Sequence, residues 1–256
     1  MIRAVMRRAV CWSFVEKYKM TTVNKSRVVI AGGSSGIGLS LTKMLVEDGA
    51  DVTVIGRDAG KLKTLKETLP TVGTVALDAC DRPALDAFFR GAGKVDHLVL
   101  ALSGGKGGGM FRDLSLEDLR EGFDSKFWPQ LHTLQAALPS MDPGGSVTFV
   151  TAASAGSTLP GAAGLAAING ALEVMIPILS LELRPLRINA VSPGVIDTPW
   201  WGFMPAAVKE QVFSDISARV NVNRVGRPEE VADAIRCVIT NGYINGITIR
   251  CHGGMN

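Results

Sequence analysis

The sequence predicts one α/β domain, a doubly wound (Rossmann-like) parallel sheet with helices on both faces. Three observations lead there. Short apolar runs of strand length alternate with stretches whose apolar residues recur at helical spacing, and that alternation forces parallel pairing through right-handed crossovers. The first strand and first helix are joined by a glycine-rich turn, AGGSSGIG, Ala31 to Gly38. At 256 residues the chain can bury one substantial core, and no linker or internal repeat divides it.

Each element follows in order. RVVIA (Arg27 to Ala31) is a strand, and GLSLTKMLVEDGA, from Gly38, carries a helical apolar face. DVTVIG reads as a strand, DAGKLKTLKETL as a helix and VGTVAL as a strand. DRPALDAFFRGAG is a helix that tolerates Pro83 in its first turn, and VDHLVLAL is the next strand. Ser115 and Asp118 form a capping signal for a long helix through Leu138, with a kink expected at Pro129. SVTFVT is a strand, Gly161 to Leu183 a helix, RINAV a strand, and a helix from about Glu229 leads to the strand GITIR.

Composition narrows the function. Lys and Arg number 27 against 24 Asp and Glu, an excess too small and too scattered for a nucleic-acid partner. Cys11, Cys80, Cys237 and Cys251 form no CxxC pair and suit reduced thiols in an intracellular protein. His97, His252 and the cysteines lack metal-ligand spacing, so no metal is expected. No uninterrupted apolar run reaches the ~18 residues of a membrane span; Asn169, Glu173 and Pro177 break the longest candidate. Residues 1–24 stand apart from the domain at 25–256. Five cations and one acid in the first twenty residues suit an organelle-targeting segment, a disordered tail or an over-extended start before Met20. A cytoplasmic location is expected, or a mitochondrial one if residues 1–20 are a transit peptide.

The turn AGGSSGIG lies between strand and helix, where backbone N–H groups can hold a pyrophosphate. Gly32 and Gly36 take the tight turns, Gly38 permits close helix–strand approach, and Ser34, Ser35 and Ile37 complete the cradle. At the end of the second strand, Arg57 offers a fork of donors suited to a ribose 2′-phosphate, unless it is spent on Asp58 or solvent. NADP(H) is therefore favoured over NAD.

These motifs resemble those of the short-chain dehydrogenase/reductase family. AGGSSGIG is similar to its TGxxxGIG loop, and LDACD, SPGVIDTP, GRPEEVA and a terminal GG follow in family order from Lys25 to Gly254. The resemblance implies that Asp78 contacts adenine and that Pro193, Gly194, Ile196 and Thr198 lie along the nicotinamide and its phosphate. It also implies a homodimer or homotetramer through the two long helices. LALS, Leu100 to Ser103, stands in place of the family's NNAG and loses its bracing amides.

The family's catalytic tyrosine, lysine, serine and asparagine would fall at Leu165, Asn169, Ala152 and Lys126. None of the four is the expected residue, and Tyr18 and Tyr243 are not placed to substitute. Ser154 is close enough to replace the serine by a local shift. Lys126 on the earlier helix and Asn169 on the later one suggest that charge and amide have been exchanged across the site. Ser154 and Thr151 lack an evident activating base, and His132 points to a different helix face from Lys126. Trp200, Trp201, Phe203 and Met204 would line a loop suited to a small apolar or aromatic substrate.

The expectation is an atypical NADP(H)-dependent oxidoreductase acting on a carbonyl or activated alkene. An inactive NADPH-binding sensor or subunit is the alternative, and a lyase or isomerase on the same fold is a third reading.

Overall fold

A computed structural model describes residues 22–255. The segment 1–24 assigned to an N-terminal extension therefore lies almost wholly outside the described residues. Seven parallel strands form one sheet in the order β3-β2-β1-β4-β5-β6-β7. They are β1 (Arg27–Ala31), β2 (Asp51–Gly56), β3 (Gly73–Ala76), β4 (Val95–Leu100), β5 (Met141–Val150), β6 (Arg187–Pro193) and β7 (Thr248–Cys251). The winding direction reverses between β1 and β4. There the C-terminal strand ends open a crevice between crossovers running to opposite faces.

Helices α1 (Gly36–Glu47) and α8 (Pro228–Thr240) cover one face. Leu41, Leu45, Val231 and Ile235 pack there on Val28, Ile30 and Val54. The other face is covered by α3 (Arg82–Ala92), α5 (Trp128–Ala137) and α6 (Ala163–Glu182), with Phe89, Leu134, Leu172 and Ile176 against Val29, Leu98 and Phe149. Central strands buried on both sides are the reason the sequence showed continuous apolar runs rather than alternation. Helix α2 (Ala59–Thr68) flanks the β3 edge.

The expected helix from Ser115 to Leu138 forms as one helical run, interrupted ahead of Pro129 by a π turn. Ser115 Oγ accepts from the Asp118 N–H at 3.2 Å and starts α4 (Leu116–Gly122). A π-helical turn, Phe123–Phe127, follows without a break in helical backbone, and Pro129 stands directly after it at the start of α5, where the interruption was expected. Proline has no N–H for the carbonyl four residues earlier, and the wider turn absorbs that break. It also directs Lys126 into the protein, where that residue is buried.

Two further differences concern element limits. β5 begins at Met141, five residues before the expected SVTFVT, with an irregularity between Val95 and His97 in its pairing partner. Helix α7 (Ala206–Ser217) was not anticipated; it has no side-chain cap and buries no residue, so its sequence carries little helical signal. Helix α6 is long and apolar enough to cross a membrane by length and composition. Its buried residues, including Ile168, Leu172 and Ile176, instead belong to the core.

Candidate active site at the C-terminal edge of the sheet

The glycine-rich turn has the shape of an anion cradle. Gly32 and Gly36 have φ of +88° and +51°, which side chains rarely adopt. A Cβ on Gly38 would overlap the Gly32 carbonyl oxygen, and one on Gly32 would lie 2.5 Å from the Ala101 carbonyl oxygen. Backbone therefore lies on backbone at Gly32 and Gly38. Ser35 is the N-cap of α1 but makes no side-chain cap, and the first turn holds no acidic residue. Its N–H groups and the positive end of the helix dipole suit a pyrophosphate. Ser34 and Ile37 follow the same turn, and Thr198 lies across from Gly36.

Arg57 is exposed just beyond β2 and, among the described residues, has neither a hydrogen-bonding nor an ion-pairing partner. Asp58 does not engage it and instead caps α2 by accepting from the Lys61 N–H at 3.0 Å. The guanidinium therefore keeps its donors. Asp78, past β3, accepts from the Cys80 N–H at 3.0 Å and remains exposed. Pro193 ends β6, Gly194 packs against His252, and Ile196 bridges to Gly226. Ser103 is exposed in the loop after β4.

The opposite wall contains a buried polar cluster. Lys126 Nζ donates to the Thr151 carbonyl at 3.0 Å, and burial pushes its pKa down from 10.5 to about 8 despite the favourable charge of Glu173. Asn169 Nδ2 donates to Ser154 Oγ at 3.1 Å and to the Leu165 carbonyl at 2.9 Å. Its Oδ1 is buried without a partner. Ser154 Oγ in turn donates to the Leu165 carbonyl at 3.3 Å. Lys126, Asn169 and Ser154 thus converge on the segment Thr151–Gly156, with Ala152 beside them.

Two groups in this wall escaped the sequence reading. Glu173 Oε1 accepts from Thr151 Oγ1 at 2.7 Å and from Ser192 Oγ at 2.8 Å, so Thr151 does have a carboxylate partner. The signal was its place one helical turn after Asn169, on the same face. Gln130, buried on α5, donates from Nε2 to the Leu102 carbonyl at 3.2 Å and the Val150 carbonyl at 3.4 Å. A helix amide thereby braces the loop that lacks strand-end asparagines.

Across the crevice, Trp200 Nε1 donates to the Gly104 carbonyl at 3.2 Å and links two loops. Trp201 turns toward its own segment: Nε1 donates to the Ile196 carbonyl at 2.9 Å and its ring meets Phe213 of α7 edge-on. Trp200 and Phe203 remain exposed, and Met204 is half-buried. Leu165 lies against Gly108 of the loop after β4.

The remaining candidates lie elsewhere. His132 stands 6.5 Å from Trp128 between ring centroids, and His97 is buried with Ser146 and pushed down to about 4. Tyr243 is fully exposed; Tyr18 lies outside the described residues. Cys80, Cys237 and Cys251 are free, and Cys11 also lies outside the described residues. Among the described residues no three His, Cys, Asp or Glu side chains gather as metal ligands.

Comparison with known proteins supports the architecture. The profile of a family described as enoyl-(acyl carrier protein) reductase matches residues 31–256. A short-chain dehydrogenase/reductase, ATR9, of Stachybotrys chlorohalonatus is 28% identical over 92% of this chain and 98% of its own. The 3-oxoacyl-[acyl-carrier-protein] reductase FabG of Thermotoga maritima is 29% identical over 89% and 96%. A small-chain dehydrogenase solved in complex with NADPH superposes with a TM-score of 0.81 at 28% identity, covering 91% of this chain and 99% of that one.

Proposed function

The chain belongs to the short-chain dehydrogenase/reductase family of oxidoreductases, and from that premise we propose that it uses NADP(H) to reduce a small apolar carbonyl or activated alkene at a non-standard active site. The cradle from Gly32 to Gly38 would hold the pyrophosphate, and Arg57 with Ser34 the 2′-phosphate. Asp78 would meet the adenine, while Ser103, Pro193, Gly194, Ile196 and Thr198 would border the nicotinamide half. Bound nicotinamide cofactor supplies the hydride.

The observation that carries this reading is the Lys126 ammonium, buried in the same wall that holds the unpartnered amide oxygen of Asn169. Lys126 commits one hydrogen to the Thr151 carbonyl and has others to give. One of them would go to the substrate oxygen as negative charge develops there, replacing the phenol of a family tyrosine. Asn169 Oδ1 has an open acceptor for a ribose or water hydroxyl, with its amide held by Ser154. Leu165 leaves an apolar surface where a tyrosine would be expected. Trp200, Phe203 and Met204 would close over an apolar substrate, with Trp201 fixing the base of that loop.

Val174, Ile178 and Leu181 recur along the exposed side of α6, and Trp128 of α5 is half-exposed. A homodimer or homotetramer would bury this apolar surface.

The test is titration of pure protein with NADPH and NADH, followed by 4-deuterated NADPH and a broad carbonyl and enone panel. Tighter NADPH binding and deuterium in a product are expected. Tight binding with no deuteride transfer to any substrate would overturn the enzymatic reading and assign a binding role.

A further inference from the structure

The buried ammonium is coupled to a carboxylate through one residue. Thr151 receives Lys126 Nζ on its carbonyl at 3.0 Å and gives its own hydroxyl hydrogen to Glu173 Oε1 at 2.7 Å. The same carboxylate oxygen accepts from Ser192 at 2.8 Å. Glu173 is thereby fixed from the ends of two adjacent strands. Thr151 and Ser192 are each only 2% exposed, so both hydroxyl bonds are shielded from water.

We propose that Glu173 is a positioning residue which keeps Lys126 charged and in place, through Thr151, to give its proton to the substrate oxygen. This rests on the proton-donor reading of Lys126. In that step hydride adds to the carbonyl carbon, the C=O π pair moves to oxygen, a Lys126 N–H bond breaks and an O–H bond forms. The neutral amine left beside Glu173 then regains a proton from water.

A strand staple alone would not need a charge. A neutral glutamine could accept the same two hydroxyl bonds, whereas a carboxylate also offsets the ammonium's loss of hydration. The acids of α4 and of the π turn are engaged elsewhere, and Arg250 is not among the groups that shift Lys126. Asp118 and Glu121 face Lys106, Asp124 acts on Cys80, and Arg250 lies against Gly156. Glu173 is the charged group that raises the proton affinity of Lys126, opposing desolvation.

The experiment uses protein labelled with [6-13C]lysine, the Lys126 resonance being identified by its loss in Lys126→Met. In Glu173→Gln that resonance should titrate at lower pH by about one unit or more. The alkaline limb of kcat/KM for deuteride transfer should move down by the same amount. Glu173→Asp should shift both less and provides the measurement if the glutamine variant folds poorly. An unmoved resonance in both variants of an otherwise active enzyme overturns the role of Glu173. A moved resonance in protein whose wild type transfers no deuteride supports the coupling and overturns the proton-donor reading on which its catalytic role rests.

Discussion

The two walls of the crevice reach their order by different means. The glycine-rich wall depends on backbone: positive φ at Gly32 and Gly36 and the tight approach of Gly38 define a shape that tolerates little substitution. The opposite wall depends on side chains from separate elements, Lys126, Thr151, Asn169, Glu173 and Ser192, linked by hydrogen bonds. A backbone cradle can be recognised from a short motif. A side-chain cluster can exchange its members while keeping a polar, buried character.

The largest effect should come from Gly38→Val. The Gly32 carbonyl occupies the space of any Cβ there, so either the helix moves off the turn or the cradle opens. NADPH binding by calorimetry should fall below detection, with a lower melting temperature. Binding within threefold of wild type would show that the walls do not differ in this way.

Lys126→Met tests the other wall through stability. Burial holds Lys126 near 8 against 10.5 when exposed, so between those values the unfolded chain binds more protons than the folded one. This term makes stability rise with pH through that window, and the burial cost is greatest below 8. The wild type should gain about 3 kcal/mol relative to Lys126→Met between pH 7.5 and 11, from 2.5 pKa units. Urea titrations of both proteins at each pH check it. Parallel stability curves would mean that Lys126 keeps its ordinary pKa in the folded protein and is not desolvated there.

How much was legible in the sequence follows the same division. The sheet, its order of elements and the glycine turn depend on local runs and spacing, which one sequence displays. Lys126 and Asn169 were singled out, but their positions relative to Thr151 required the π turn ahead of Pro129, a local detail with no periodic signature. Glu173 looked like an interruption in an apolar helix because its partners are 22 and 19 residues away on strand ends. Gln130 was hidden similarly: the loss of loop asparagines was visible, whereas compensation from α5 was not.

Arg57→Ala sharpens the comparison at the edge of the cradle. Its fork has no competing partner among the described residues, so a 2′-phosphate would gain its charge-assisted bonds without first breaking others. NADPH affinity should fall about 10- to 100-fold, the equivalent of roughly 1.5–3 kcal/mol. NADH affinity should change less than about twofold, because its 2′-hydroxyl makes no such bond. Equal losses for both cofactors would place Arg57 outside the 2′-phosphate site.

The smallest effect should come from Trp200→Phe, which retains an aromatic ring and removes only the 3.2 Å bond from Nε1 to the Gly104 carbonyl. At an exposed position this bond is worth the low end of about 0.5–1.5 kcal/mol. KM for apolar substrates should rise about two- to threefold, with NADPH affinity unchanged. Trp201→Phe should behave differently, since Nε1 of Trp201 holds the Ile196 carbonyl at 2.9 Å beneath the loop. Its loss should lower the melting temperature more than it raises KM. If the two variants instead change KM equally, both tryptophans face the substrate and the loop has no separate structural base.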